Sequence, residues 1–200
     1  IPVPRGVVIR TEEGLKDAVD KYGYPLVIKP IDGNHGKGNT TNITTWEQAL
    51  TAFAAAKNYS RSVIVERFIT GYDFRILVIN YKFICAALRT PASVIGDGKN
   101  TIQYLIDETN KDPRRGYGHE KVLTQITIDQ FTQKMLDEKG YSLETVPTKG
   151  ELVLLKPTAN LSTGGTSTDL TDEVHPANLF MCERIAKIIG LDICGIDIMA

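Results

Sequence analysis

Apolar positions fall into short runs, and the residues that bound them predict what each run becomes. Gly6-Val-Val-Ile9 followed by Thr11-Glu-Glu predicts a strand and then a helix capped by Thr11, running to about Tyr22 and stopped by Gly23. Tyr24-Pro-Leu-Val-Ile-Lys-Pro30 predicts a strand, Ile31 to Gly38 a glycine-rich turn, and Thr41 to Thr44 the strand closing that hairpin. Thr45-Trp-Glu-Gln opens an alanine-rich helix to about Tyr59, and Ser62 to Phe68 returns as a strand. In Tyr72 to Leu88, Ile76, Val78, Ile84 and Ala86 are spaced by two around Asn80-Tyr-Lys82, which predicts a half-buried antiparallel hairpin.

From Pro91 to Gly150 the chain turns polar and irregular, with helices expected near Thr101 to Asn110 and Ile128 to Lys139. This stretch reads as an insertion. Glu151 to Leu155 predicts a strand, Asn160 to Gly165 a loop, His175-Pro-Ala177 the start of a helix ending at Gly190, and the run after it a final strand. No repeat or low-complexity tract interrupts this order.

Composition narrows the function classes. The 200 residues are 42% hydrophobic and 24% charged, with Lys+Arg 23 against Asp+Glu 24, enough for one core or two small lobes. A net charge of -1 gives no bulk attraction for nucleic acid or an anionic membrane, and no basic patch with interleaved aromatics stands in for it. No apolar run approaches the roughly 18 residues that read as a membrane span. Cys85, Cys182 and Cys194 lie in apolar runs without metal-ligand spacing, as buried reduced thiols would. A cytoplasmic compartment is expected. Both ends read as cut, the first in a loop and the last directly after a core-like strand.

Chemistry concentrates in a few places, each with a plainer alternative. Lys29 ends a strand facing the glycine-rich turn, where an ammonium and backbone N–H groups can meet phosphate oxygens; a surface lysine beside an ordinary turn competes. Gly33-Asn-His-Gly-Lys-Gly38 does not fit the Walker pattern. Glu66 and Asp73 bracket Arg67-Phe-Ile-Thr-Gly-Tyr72, a segment suited to an adenine ring and ribose hydroxyls, or to a bare linker. Asp197 sits inside the apolar run Ile193 to Met199, so it requires a cation, a metal or several donors unless it simply points outward. His35, His119 and His175 show no metal or nucleophile spacing. Arg75, Arg89, Arg114 and Arg115 suit phosphate or carboxylate but individually read as solvated or ion-paired.

Taken in order, Tyr24-Pro-Leu-Val-Ile-Lys-Pro30, Gly33 to Gly38, Val65-Glu-Arg-Phe-Ile-Thr-Gly-Tyr-Asp-Phe-Arg75 and Cys194-Gly-Ile-Asp-Ile198 resemble the motifs of ATP-grasp enzymes. Arg89 to Gly98, Asp112 to His119 and Thr158 to Gly165 are similar to the ATP-grasp module of cyanophycin synthetases and to the glutathione synthetase module of bifunctional glutathione-making enzymes. The resemblance covers essentially the whole chain. It implies an α+β ATP-grasp fold, two lobes gripping a nucleotide: a small lobe over 1–65 with the phosphate loop, and a truncated large lobe over 66–200 with an insertion at about 91–150. It further implies ATP and Mg²⁺, an amino acid and a peptide or polymer acceptor as substrates, other domains of the same enzyme, and a homo-oligomer when full length.

By the same resemblance Lys29 contacts the α/β-phosphates, and Gly33, His35, Gly36, Lys37 and Gly38 close over the triphosphate. Glu66, Arg67, Phe68 and Ile69 line the adenine, Asp73 accepts from the ribose, and Asp197 ligates Mg²⁺. Arg75 and Arg89 neutralise the moving phosphoryl group, while Asn160 and the Ser162-Thr163-Gly164-Gly165 loop adjoin the acyl phosphate and acceptor. The implied reaction makes an acyl phosphate from a carboxylate and ATP, and an amine then displaces phosphate. Aspartate addition to cyanophycin is the leading expectation, glutathione synthesis the alternative, and a nucleotide-binding module without turnover the third. The family's remaining phosphate lysine and metal ligands are expected outside residues 1–200, so these residues alone are expected to bind ATP weakly and turn over little.

Overall fold

Local signals decide where the first elements start. Thr11 Oγ1 accepts from the Gly14 amide at 3.2 Å and Thr45 Oγ1 from the Gln48 amide at 3.3 Å, each satisfying a donor that the first helical turn leaves free. The computed structural model describes residues 2–33, 37–118 and 120–200. Its chain divides into two units, Ile1–Thr70 and Gly71–Ala200.

The first unit contains β1 (Gly6–Ile9), α1 (Glu12–Tyr22), β2 (Leu26–Pro30), β3 (Thr40–Ile43), α2 (Trp46–Lys57) and β4 (Val63–Arg67). Its strands form one antiparallel sheet in the order β1-β4-β2-β3. Leu26, Ile28, Val63 and Val65 point to one face and bury against Leu15 and Ala18 of α1 and Ala49, Phe53 and Ala56 of α2. The two-residue period of a strand therefore sends Lys29 and Glu66 to the opposite face.

The second unit contains β5 (Asp73–Ile79), β6 (Lys82–Thr90), β7 (Ser93–Ile95), α3 (Ile102–Asn110), β8 (Arg115–Gly116), β9 (Leu123–Thr124), α4 (Gln130–Asp137), β10 (Leu152–Leu154), β11 (Thr166–Asp169), α5 (Pro176–Ile189) and β12 (Ile193–Met199). The hairpin turns at Asn80 and Tyr81, both left-handed at φ 52° and 60°, the combination that a two-residue hairpin loop requires. An antiparallel sheet runs β11-β6-β5-β12. Ile76, Val78 and Ala86 on one face pack with Cys182 and Ala186 of α5. Alternation gives the other face Asp73, Arg75, Arg89, Ser167 and Asp197.

Residues 91–150 are not irregular as the polar composition suggests. Here β7 pairs with β10, and Ala92, Val94, Ile102, Ile106, Ile126, Leu136, Val153 and Leu155 form a separate core. Each of its elements is short, so few apolar residues per element suffice, and the pairing spans far too many residues to show as a local pattern. Of the three cysteines, only Cys182 is fully buried; Cys85 and Cys194 are half-buried because they sit in sheet strands with one open face.

One ion pair anchors this second core. Lys156, 3% exposed, places Nζ 2.7 Å from Asp129 Oδ2, and Asp129 also caps α4 through the Phe131 and Thr132 amides at 2.9 and 3.1 Å. Burial pushes the Asp129 carboxyl upward, but Lys156 and the amides of Thr132 and Phe131 outweigh it and leave the carboxyl below its ordinary value. Asp129→Ala removes a cap and strands a buried ammonium. Because the carboxylate is partly solvated, the loss expected in urea unfolding lies near the lower end, about 3 kcal/mol, and adding Lys156→Met should recover much of it. A folded pKa below the unfolded value of about 3.9 contributes stability above that value and loses it as pH falls through the folded one. Amide protection in α4 is therefore expected to hold at neutral pH and fade below about pH 4.

Candidate functional site

The first unit carries one cluster on the face its helices leave open. Val27 stands opposite Glu66 in the β2–β4 ladder, so Lys29, two residues on, lies diagonal to Glu66 and donates from Nζ to Oε1 at 2.5 Å. Both side chains are partly buried, Glu66 the more so at 17% exposure. The glycine-rich turn begins directly after this lysine. Ile31 N donates to Ser62 O, Gly33 N to Pro30 O, and Ser60 Oγ to Asp32 Oδ2, fixing the outgoing arm. Gly38 lies against the Tyr59 ring on the returning arm, with Lys37 exposed beside it. The expected site residues His35 and Gly36 lie outside the described residues. Arg67 and Phe68 continue β4 by donating their amides to Arg5 O and Pro25 O, and Ile69 follows with 41% of its surface exposed.

The second unit carries the denser cluster. Asp73, Arg75, Arg89 and Asp197 come from three adjacent strands and meet because the register sets Arg89 opposite Asp73 and Arg75 opposite Asp197. Arg89 Nη2 lies 2.6 Å from Asp73 Oδ1 and 3.0 Å from Asp197 Oδ1, bridging the two carboxylates, and Arg75 Nη1 donates to Asp197 Oδ1 at 2.9 Å. Asp197 points out of the sheet, with its side chain 57% exposed, and its charge is met by two guanidinium groups.

Gly195 makes room for this arrangement. A Cβ there would lie 2.4 Å from Arg75 Cζ, so the guanidinium lies across a position that no side chain can share. The obstructed group is the end of a flexible side chain. Gly195→Ala is therefore expected to change the unfolding midpoint little while moving Arg75 off Asp197, which thermal melts and a crystal structure of the variant would check.

The Asn160–Gly165 loop enters β11 at the same end of the sheet, where Ser167 stands opposite Arg89 and Thr166 opposite Thr90. Asn160 O accepts from the amides of Thr163 and Gly165 at 3.2 and 3.0 Å and from Thr163 Oγ1 at 3.0 Å, closing a single 3₁₀ turn. Ser162 is exposed at its crest. Gly164 is left-handed at φ +94°, and its missing side chain admits Ile126 Cα; a Cβ on Gly165 would fall 2.7 Å from both Asn160 O and Thr90 O.

Arg115 is the residue that sequence reasoning misplaced. It is not solvated, and it has no ion pair among the described residues: it is 5% exposed, and Nη1 donates to Thr124 O at 2.6 Å and Gly164 O at 2.9 Å. Burial pulls its pKa below the ordinary guanidinium value. The neighbouring Asp112 is taken by Arg114, whose guanidinium and amide hold the Asp112 carboxyl down at about 2. Nothing in Asp112-Pro-Arg-Arg distinguishes the two arginines; the buried one is set by a carbonyl 49 residues away.

Asp197 offers an exposed carboxylate to a cation, a place now taken by guanidinium nitrogens. That matches the way Mg²⁺ is held beside nucleotides, by one or two carboxylates with phosphate oxygens and water completing the octahedron. It does not match an all-protein cage, since no cluster of three or more acid, cysteine or histidine ligands occurs among the described residues.

Residues 1–84 match the ATP-grasp domain, and the fold is of the ATP-grasp class. Over its whole length it is also homologous to cyanophycin synthetases, being 55% identical across 202 residues to that of Crocosphaera subtropica, a match spanning 100% of this chain and 23% of the relative. The glutathione biosynthesis bifunctional protein of Clostridium perfringens is more distant, 36% identical across 202 residues, spanning 100% of this chain and 26% of that one. Among solved structures, a bifunctional glutathione synthetase from Pasteurella multocida superposes with a TM-score of 0.64 at 31% identity, over 98% of this chain and 27% of that one. The chain thus spans 23% to 27% of the length of these proteins. No helix among the described residues is long and apolar enough to cross a membrane.

Proposed function

We propose that the chain is the nucleotide-binding part of an ATP-dependent carboxylate–amine ligase that adds aspartate to the backbone of cyanophycin. The observation that carries this reading is the 55% identity to a cyanophycin synthetase across every residue of the chain. A peptide carboxylate attacks the γ-phosphorus of ATP, ADP leaves, and the acyl phosphate is opened by the amine of aspartate, so that phosphate departs with one former carboxylate oxygen. Most of the catalysis is positioning and charge neutralisation.

The residues divide by role. Lys29 reaches the α/β-phosphates once ATP competes it away from Glu66, and Gly33 to Gly38, with His35, Gly36 and Lys37, close over the triphosphate. Glu66, Arg67, Phe68 and Ile69 line the adenine. Asp73 keeps Oδ2 free of Arg89, available to a ribose hydroxyl. Arg75 and Arg89 meet the charge on the transferring phosphoryl group, and Asn160 with Ser162, Thr163, Gly164 and Gly165 adjoins the acyl phosphate and the incoming amine. Mg²⁺, held by Asp197, would supply charge neutralisation between the phosphates. The reading also places the protein in the cytoplasm as a homo-oligomer working with further domains.

A second reading, glutathione synthesis from γ-glutamylcysteine and glycine, is favoured by the 36% identity and the 0.64 superposition. The acyl-phosphate step common to both is tested by supplying the complete enzyme with ¹⁸O-labelled carboxylate substrate. Label is expected in the released phosphate; unlabelled phosphate alongside amide product would exclude the acyl phosphate.

A further inference from the structure

Arg115 is buried yet serves no described carboxylate, and its one shared donor atom joins two parts of the second unit: Thr124 of the 91–150 region and Gly164 of the Asn160–Gly165 loop. A buried cation without a counter-ion is costly to keep, so its bonds have to fix something that matters. The same loop is held from two other directions. Ile126 Cα occupies the space of the Gly164 side chain, and Ile126 is itself gripped by Asn110, whose Oδ1 accepts the Ile126 amide at 2.8 Å while Nδ2 donates to the Ile126 carbonyl at 2.9 Å. Upstream, the buried Lys156 ties the approach to the loop to Asp129 on α4. Residues 156–165 are thereby pinned at both ends to the 91–150 region.

The consequence runs into the active cluster. Gly165 abuts Thr90 O, and two residues on, Ser167 stands across from Arg89, which bridges Asp73 and Asp197. A shift of the Gly164 carbonyl moves the loop relative to Arg89 within the second unit. We propose that Arg115 is a positioning residue for the incoming amino acid: by holding the Gly164 carbonyl it lets the 91–150 region set where the Asn160–Gly165 loop presents the amine to the acyl phosphate. This rests on the ligase reading and adds to it a residue that contacts neither ATP nor the reacting atoms. The region's contribution is then to amino-acid binding and not to nucleotide binding.

The test is steady-state kinetics of the complete enzyme with Arg115→Met, which keeps the apolar stem of the side chain and removes its donors, and with Arg115→Lys, which restores a charged donor. The proposal expects the Met variant to raise KM for the amino acid at least tenfold with KM for ATP changed less than twofold, and the Lys variant to recover part of that loss. Hydrogen exchange of the Met variant should show protection lost over residues 160–165 first. An unchanged amino-acid KM, or a uniform loss in both KM values and kcat without Lys recovery, overturns it. Should Arg115→Met fail to fold, Gly164→Ala presses the loop from the Ile126 side with Arg115 intact, and it must show the same selective rise in KM or the proposal falls. A wild-type enzyme inert with every amino-acid and peptide pair overturns the ligase reading and this inference together; an active wild type with an unaffected Met variant overturns the inference alone.

Discussion

Arg89→Met is expected to lower kcat/KM of the complete enzyme by about two to three orders of magnitude, the range for losing one preorganised group that meets developing charge. The guanidinium bridges Asp73 and Asp197 in the free protein. Its removal leaves Asp73 without a guanidinium partner and Asp197 with Arg75 alone, so the cluster loses a cation and its negative charge is only partly met. Folding should survive, because these carboxylates are partly solvated and the sheet is held by its ladder and by the α5 core. Rapid-quench measurement of acyl-phosphate formation checks the step affected: the chemical step should slow while ATP binding persists.

Lys29→Met is the second large effect and acts on a different quantity. Lys29 neutralises Glu66, a mostly buried carboxylate on the same sheet face. Without the ammonium, the phosphates lose a cation and Glu66 keeps an unneutralised charge in the nucleotide site, and kcat/KM for ATP is expected to fall about a hundredfold. Glu66→Gln in the Lys29→Met background removes the exposed charge and should restore part of the binding, an improvement that simple loss of a phosphate contact would not produce. Equilibrium titration with a fluorescent ATP analogue measures both variants; equal affinities for the single and double variants would contradict the ionic account.

The sequence was readable wherever a local rule applies. Thr11, Thr45 and Thr101 each cap the helix that their position announces, Gly23 and Gly190 follow the helices they stop, and the period-two run around Asn80 folds as the hairpin it predicts. Elements without a local signature were missed. Thr166-Ser-Thr-Asp169 is polar throughout because β11 is an edge strand with little to bury, and only its pairing with β6 defines it. The strand expected over Glu151 to Leu155 holds β10, but its partner β7 was not read, because the two pair through three short rungs across more than fifty residues.

The candidate site shows the same division. Asp197 in an apolar run announced a cation, a metal or several donors, or else an outward-pointing side chain; it points outward, and the cations it meets are Arg75, 122 residues away in sequence, and Arg89. Gly195, two residues before it, was given no role of its own, and its need appears only where the Arg75 guanidinium lies across it. Arg115 carried no signal at all, since the desolvation that singles it out arises only when Gly164 folds back onto it.

ATP-dependent amide formation on aspartate is tested by measuring amino-acid-dependent ATP hydrolysis by the complete protein. Aspartate with an aspartate–arginine primer is expected to stimulate hydrolysis in step with amide formation, while glycine with γ-glutamylcysteine leaves it at the basal rate. Stimulation by the second pair alone would contradict the claim and assign the chain to glutathione synthesis, and silence with both would mark it as a nucleotide-binding module without turnover.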